Sequence, residues 1–331
     1  MGNDHAAARD SRILVTGLGW SGSSAVVDLL SGCSRIHRVP GEFDLFRRFG
    51  MIGDHVMARI EARFPSRACP PETSSAKSSK GLSVLRRQLG RRLGWAGESN
   101  SRSPLSQERA RAVERMTCSF AKEIDARHSL AERVEVAVEW LDEVVRLHAT
   151  QTLSGLILFD QPIVPRHHDG VWQKVFAPMH HIVVLRDPLD QLFEHYQWVI
   201  WPNKAVKLGM QDLLDASGGR GRTGVLTGMA ERLLKNLQWV ESLTHTPTSP
   251  LVLKFTEVVE DPGSTLARIE SFVGESLGPN NWLTFDSCAS EENIGVGDEL
   301  AHLLDPELLR MIRTAVEKAV AASQRHESST Q

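Results

Sequence analysis

The sequence predicts an α/β fold with a mainly parallel sheet flanked by helices, on three observations. Short apolar segments at 13–16, 156–159, 181–185 and 251–255 have the length and composition of buried strands. Segments with apolar residues at helical spacing, such as 133–148, alternate with them. The first strand runs into a glycine-rich loop and then a helix, which is the opening unit of nucleotide-binding α/β folds. Strands that alternate with helices favour a parallel sheet covered on both faces.

The composition is that of an ordinary globular protein. Of 331 residues, 41% are hydrophobic and 24% are charged, and a net charge of -3 is too close to neutral to predict general nucleic-acid binding. Residues 66–104 differ, because eight lysines and arginines there face two glutamates, a net charge of +6. We predict one domain over residues 1–331, with 66–104 as a basic, flexible insertion. That insertion is a solvated loop, or it contacts an anionic acceptor or, weakly, a membrane surface.

The chain is expected to be cytoplasmic and to hold no metal. Ionisable residues interrupt positions 4–12, so no signal-peptide apolar stretch begins the sequence. No apolar run approaches the length that crosses a bilayer, so no transmembrane segment is expected. The four cysteines lack metal-binding spacing. Adjacent histidines at 167–168 and 180–181 would face opposite ways on an extended chain, which disfavours a shared metal ion.

The segment 17–24, Gly-Leu-Gly-Trp-Ser-Gly-Ser-Ser, is the most informative stretch. A loop between a strand and a helix aims backbone N–H groups at one point, and the positive end of the helix dipole favours a phosphate there. The spacing follows the Walker A motif, but Ser23 stands where that motif has lysine, which disfavours an ATPase or GTPase. A plain tight turn is the alternative. The predicted anion contacts are Gly17, Gly19, Trp20, Ser21, Gly22, Ser23 and Ser24.

A second anion site is predicted at Arg186, where the apolar strand 181–185 ends in Arg-Asp-Pro. Asp187 is placed to cap a helix that Pro188 begins. Arg186 then lies at the carboxyl edge of the sheet, where open α/β folds bind ligands, and a guanidinium can hold a phosphate through two parallel hydrogen bonds. The alternative is an ion pair with a nearby carboxylate. Two anion sites on strand ends favour a ligand that carries phosphates at both ends.

The order of these motifs resembles that of the PAPS-dependent sulfotransferases. A glycine-serine loop after the first strand and a later strand ending in Arg-Asp-Pro both resemble motifs of that family. Further along, the strand 251–255, the acidic turn 260–262 before a helix, and Asn293-Ile294-Gly295 before the last helix are similar to it as well. The resemblance covers residues 12 to about 60 and 155 to 320.

The resemblance implies a P-loop-type fold and a particular donor, 3′-phosphoadenosine 5′-phosphosulfate (PAPS). It implies that the loop 17–24 holds the 5′-phosphosulfate and that Arg186 holds the 3′-phosphate. The nucleotide product would be adenosine 3′,5′-bisphosphate (PAP), and the transfer would need no metal.

Three positions depart from the family's pattern. Trp20 stands where relatives usually have a lysine or arginine, and indole cannot neutralise a sulfuryl group. Glu194 stands where they commonly have a serine that helps bind the 3′-phosphate, and a carboxylate there would repel phosphate. Asp160-Gln161-Pro162 lacks a lysine often found before the proline. The candidates for replacing the missing loop cation are Arg47, Arg48, Arg220 and Arg222.

Transfer to a hydroxyl also needs a base for the acceptor proton. The resemblance assigns that role to Glu42, because glycosaminoglycan sulfotransferases carry a base glutamate near this place; a helix-cap carboxylate is the alternative. His37 is a second candidate base. The predicted function is transfer of a sulfuryl group from PAPS to a small-molecule or glycan hydroxyl, such as that of a carbohydrate or glycolipid. Two rivals stay open: a P-loop kinase using ATP and magnesium, and a non-catalytic nucleotide-binding member of the fold.

Overall fold

The structure, a computed structural model, describes most of the chain outside the basic segment. The described residues are 11–19, 21–48, 51–57, 104–148, 155–165, 167, 169–200, 221–246 and 248–330. The predicted insertion at 66–104 lies outside them, except for residue 104, which begins a helix.

Five strands form one parallel sheet, which confirms the predicted α/β fold. The strands are β1 (Arg12–Gly17), β2 (Ile36–Glu42), β3 (Leu156–Asp160), β4 (Met179–Leu185) and β5 (Leu251–Lys254), in the spatial order β2-β3-β1-β4-β5. Ile36 pairs with Leu156 across β2 and β3, and Ile182 pairs with Leu251 across β4 and β5. Every residue of β3 is buried, as expected for strands covered on both faces.

The helices alternate with the strands, as predicted. They are α1 (Ser23–Ser31), α2 (Asp44–Arg47), α3 (Ile52–Met57), α4 (Pro104–Asp125), α5 (Leu130–His148), α6 (Asp169–Phe176), α7 (Pro188–Ile200), α8 (Gly221–Leu243), α9 (Phe255–Glu260), α10 (Pro262–Val273), α11 (Ser287–Glu291) and α12 (Pro306–Thr330), with a 3-10 turn at Asp298–Leu303. Among the described residues, no helix combines the length and apolar character needed to cross a membrane.

Short-range capping explains where several helices begin. Before α5, the Ser129 hydroxyl accepts from the Glu132 backbone N–H at 3.2 Å, and the Glu132 carboxylate accepts from the Ser129 backbone N–H at 3.0 Å. This reciprocal pair satisfies two N–H groups that the helix itself cannot bond. Asp305 accepts from the Leu308 N–H at 3.0 Å ahead of Pro306, so the predicted start of the last helix is confirmed.

The chain divides into two compact units. The first contains the described residues within Met1–Leu14 and Arg35–Met179, and the second contains those within Val15–Ser34 and His180–Gln331. The single-domain organisation stays a prediction.

Aromatic side chains form the core of the first unit. The rings of Phe43 and Phe159 lie 4.9 Å apart, edge to face, and those of Phe46 and Phe176 lie 5.0 Å apart in the same arrangement. Trp140, on α5, is fully buried against them. Edge-to-face rings place a positive ring edge against a negative ring face, which adds to the hydrophobic gain.

Helices α8 and α12 supply much of the core of the second unit. The predicted apolar stripe on α8 is buried along its length: Leu226, Met229, Leu233, Leu237 and Val240. On α12, Leu309, Ile312 and Val320 join the same core, and Val316 packs partly buried against it. These stripes follow the helical period that predicted them.

Candidate functional site

The loop after β1 has the backbone and the polar groups of an anion-binding loop. Gly19 and Gly22 have φ of 76° and 82°, in the left-handed region that favours glycine. Gly22 is the N-cap of α1 and provides no side-chain cap, so the amino end of a nine-residue helix opens onto the loop. Ser21 is buried, and within the described residues its hydroxyl has no hydrogen-bond partner. A buried hydroxyl at a helix amino end is suited to donating to an anion.

Gln191 holds this loop from the helix that follows β4. Its side-chain amide donates to the carbonyl oxygens of Leu18 at 3.1 Å and of Gly19 at 2.6 Å. Gln191 is itself buried. The sequence analysis did not name Gln191. Its position was a usable signal, because it lies one turn into the helix that begins at the predicted ligand-binding edge.

Arg186 follows β4 directly and is already surrounded by partners. Its Nη1 lies 2.7 Å from Glu194 Oε1, and its Nη2 donates to the backbone carbonyl of Asn293. The ring of Phe255 lies below the guanidinium, with its centroid 5.3 Å from Cζ. The structure therefore shows the ion pair that sequence analysis held as the alternative for Arg186. Its proposed partner, a 3′-phosphate, stays a prediction.

The start of α7 is organised as predicted. Asp187 Oδ1 accepts from the Leu189 N–H at 2.8 Å, so the cap ahead of Pro188 is confirmed. One turn later, the buried carboxylate of Asp190 accepts from the backbone N–H of Gly295 at 2.9 Å and of Gly297 at 2.8 Å. This pair of charge-assisted bonds fixes the segment 293–297, which includes the carbonyl that binds Arg186.

Phe255 contacts both phosphate-binding candidates of the second unit. A Cβ added at Gly22 would overlap its ring, so the loop backbone packs directly on that ring. The same ring lies below the Arg186 guanidinium. The loop and Arg186 thus share one aromatic neighbour, and Gly22 is required for close approach as well as for its φ.

The two candidate bases lie in the first unit, at opposite ends of β2. Glu42 ends the strand and is paired with Asp160, the last residue of β3. His37 is the second residue of β2, so it lies toward the amino end. In open α/β sheets ligands bind at the carboxyl ends of strands, and Glu42 occupies such an end.

A network of charges surrounds Glu42. Its carboxylate pairs with Arg47, whose Nε donates to Asp44 Oδ1 at 2.8 Å. Burial alone would lower the pKa of Arg47, but the negative charges of Glu42 and Asp44 outweigh that effect and raise the pKa above its ordinary value. Arg48 lies 2.6 Å from the other oxygen of Asp44. Arg47 and Arg48, two of the candidates for the missing loop cation, therefore pair with carboxylates of their own unit.

Three other residues named from the sequence have no described side chain. Trp20 and Arg220 lie outside the described residues, and Arg222 is described only as part of α8. Among the described residues, no cluster of His, Cys, Asp or Glu is suited to a metal ion.

Desolvation lowers the pKa of three histidines on β4 and α7. Burial lowers the pKa of His181 to about 3, and its Nε2 lies 3.1 Å from the Thr16 hydroxyl. Burial together with the positive charge of Arg232 lowers the pKa of His195 to about 4. Burial also lowers the pKa of His180. Desolvation disfavours the charged imidazolium in each case.

Comparisons with known proteins return matches of structure alone. No protein-family model matches the chain, and no curated protein is significantly similar in sequence. A sulfotransferase from Alicyclobacillus acidocaldarius is similar at 13% identity and a TM-score of 0.45, over 97% of this chain and 96% of the other. The sulfotransferase domain from the curacin biosynthetic pathway is similar at 13% identity and a TM-score of 0.46, over 93% and 98%. A third is the sulfotransferase domain from the Synechococcus PCC 7002 olefin synthase, at 15% identity and a TM-score of 0.40, over 98% and 97%.

All three carry the name of the family that the sequence motifs resemble. Likeness at such low identity concerns the course of the chain, and one fold supports many activities. The activity of this chain depends on its own residues.

Proposed function

We propose that the chain is a sulfotransferase that moves a sulfuryl group from PAPS to a hydroxyl of a small molecule or glycan, such as a carbohydrate or glycolipid. The observation that carries the proposal is the loop between β1 and α1. Its two left-handed glycines shape the backbone, the amino end of α1 has no side-chain cap, and the buried Ser21 hydroxyl has no hydrogen-bond partner among the described residues. An anion with several oxygens would satisfy these donors.

The loop favours a phosphosulfate over a nucleoside triphosphate. A kinase or ATPase loop of this spacing has a lysine that contacts the β- and γ-phosphates, and here that position is Ser23. A 5′-phosphosulfate carries less charge to neutralise than a triphosphate. Loop N–H groups and hydroxyls therefore suit it better than they suit ATP.

In the proposed reaction the acceptor hydroxyl oxygen attacks the sulfur of PAPS in line with the bond to the leaving phosphate. The new S–O bond forms as the old one breaks, and PAP leaves with that electron pair. Glu42 is the proposed base, with His37 as the second candidate. The Glu42 carboxylate lies at the carboxyl end of β2, where ligands bind in open α/β sheets, and a carboxylate there would accept the acceptor's proton. No metal is expected in this step.

Arg186 is the proposed contact for the 3′-phosphate. Its Nη1 is held by Glu194, whose side chain is 28% exposed, whereas the Arg186 side chain is 3% exposed. A phosphate would replace one anionic partner of a buried guanidinium by another. The carboxylate can turn toward water when displaced, so the exchange needs no unpaired buried charge.

Thermal stabilisation by nucleotides tests the proposal. We expect PAP to raise the melting temperature, since a ligand that binds only the folded state stabilises it by mass action. Ser21→Ala should reduce that shift, and the exposed Ser34→Ala is the matched control. Stabilisation by ATP with magnesium but not by PAP would replace the proposal with the kinase. No response to PAP, AMP or ATP would refute nucleotide binding altogether.

A second candidate is a non-catalytic nucleotide-binding protein, and the occupied Arg186 guanidinium favours it. The two candidates differ in turnover. Incubation with sulfur-labelled PAPS and a panel of carbohydrate and glycolipid acceptors should yield labelled product if the chain is a sulfotransferase. PAP binding without any transfer across the panel would favour the non-catalytic candidate.

A further inference from the structure

We propose that Glu194 is a specificity-determining residue that competes with a 3′-phosphate for Arg186 and so weakens the preference for 3′-phosphorylated nucleotides. This inference rests on the proposed function, because it concerns the same nucleotide site. It starts from the ion pair of 2.7 Å between Arg186 Nη1 and Glu194 Oε1.

Among the three partners of Arg186 described above, Glu194 is the one that a ligand can replace most readily. Nη2 donates to the Asn293 carbonyl, and the segment containing that carbonyl is held by two bonds to the buried Asp190. The face of the guanidinium is covered by Phe255, which is buried. Backbone and aromatic partners of this kind cannot swing away without unpacking the second unit. Glu194 can, because its side chain reaches solvent.

The position of Glu194 makes the competition direct. It lies on α7, which begins two residues after Arg186, so the two residues meet without any change in the backbone. The Glu194 carboxylate belongs to the same chain as Arg186, so its effective concentration is high and it loses no translational freedom when the two pair. A 3′-phosphate must therefore outcompete Glu194, while a ligand with a 3′-hydroxyl need not.

A carboxylate beside an arginine can also accept a hydrogen bond from a ligand that lacks the 3′-phosphate. In dinucleotide sites an acidic residue accepts a hydrogen bond from a ribose hydroxyl, while an arginine accommodates a ribose phosphate. Glu194 could accept from a 3′-hydroxyl without leaving Arg186. The wild-type chain should therefore bind 5′-AMP almost as well as PAP, with a ratio of dissociation constants below about tenfold, less than one full charge-assisted hydrogen bond contributes.

Titration calorimetry with PAP and AMP on the full chain tests this role. Glu194→Gln keeps the shape of the side chain and removes its charge, and Glu194→Ser removes its reach. In both variants we expect PAP to bind about tenfold tighter or more, which is the scale of one charge-assisted hydrogen bond. AMP should bind no tighter than to wild type, because it gains no phosphate contact and loses the charged acceptor for its 3′-hydroxyl. The matched control is Glu307→Gln, which removes the same charge from an exposed ion pair on α12 and should alter neither affinity.

AMP separates the local effect from a general loss of negative charge, since both nucleotides carry a 5′-phosphate. The inference is overturned if wild type already prefers PAP by a hundredfold, or if both Glu194 variants leave the PAP-to-AMP ratio unchanged while wild type binds PAP. Those results would leave the proposed function standing. If neither wild type nor the variants bind either nucleotide, the proposed function fails and this role fails with it.

Discussion

Replacing Asp190 by asparagine tests whether one carboxylate holds the segment 293–297 in place. Asp190 is 2% exposed, and its two oxygens accept from the N–H groups of Gly295 at 2.9 Å and Gly297 at 2.8 Å. Asparagine has the same shape but only one acceptor oxygen. Its NH₂ group would face one of these N–H groups, so two donors would oppose each other.

The magnitude follows from those two bonds. A hydrogen bond to a charged group contributes about 1.5–3 kcal/mol, and a buried donor left without an acceptor costs about 1–3 kcal/mol. Asp190→Asn weakens one bond and breaks the other, so we expect the free energy of unfolding of the second unit to fall by about 2–4 kcal/mol. The Asn293 carbonyl would also lose its fixed position, so PAP binding through Arg186 should weaken in the same variant.

Denaturant unfolding followed by tryptophan fluorescence measures the loss, with Asp305→Asn as the matched control. Asp305 is exposed and accepts one N–H at the start of α12, where asparagine caps as well as aspartate, so about 0.5 kcal/mol or less should be lost. If Asp190→Asn and Asp305→Asn lose the same small amount, the carboxylate of Asp190 does not hold the segment and the reasoning is wrong.

Three further predictions concern the loop after β1, His181 and Glu42. Gly22→Ala should destabilise the chain and abolish nucleotide binding, because Gly22 has a positive φ and its added methyl would overlap the ring of Phe255. Gly19 also has a positive φ, but its methyl would meet no atom within 4 Å, so Gly19→Ala should cost only about 1–2 kcal/mol in an unfolding titration. Below about pH 6.5 the unfolded chain protonates His181, whose pKa burial lowers to about 3 in the folded chain, so stability should fall as the pH drops from 6.5 toward 3. His181→Gln should flatten that part of the pH profile and the exposed His302→Gln should not; equal profiles would count against the assignment. Glu42→Gln should lower kcat with labelled PAPS by about 100-fold or more while PAP still binds, and an unchanged kcat would remove Glu42 as the base.

Local features of the fold were predictable because they depend on neighbours in the sequence. Apolar runs specify buried strands through the burial of successive side chains, and the stripe from Leu226 to Val240 specifies a helix through its period. Asp187 ahead of Pro188 caps a helix through groups two residues apart. The left-handed glycines of the loop after β1 follow from a strand that must turn sharply into a helix.

In the first unit, the sequence does not predict which charged side chains pair with each other. Glu42 was predicted as a carboxylate after the second strand, and it does lie at that strand end. Its pairing with Arg47, and the engagement of Arg48 with Asp44, could not be read from spacing, because several carboxylates were equally near in the sequence. Arg47 and Arg48 had been candidates for a free cation.

The sequence alone specifies the alternation of strands and helices, the glycine-rich loop after β1 and the capped helix after Arg186. The packing of the elements sets the partners of those groups: Glu194 and the Asn293 carbonyl contact Arg186, Gln191 contacts the loop, and Asp190 contacts Gly295 and Gly297. The reason is physical. Hydrogen bonds within a turn or helix are fixed by the local backbone, whereas a side chain near several oppositely charged groups is assigned its partner by how the elements pack.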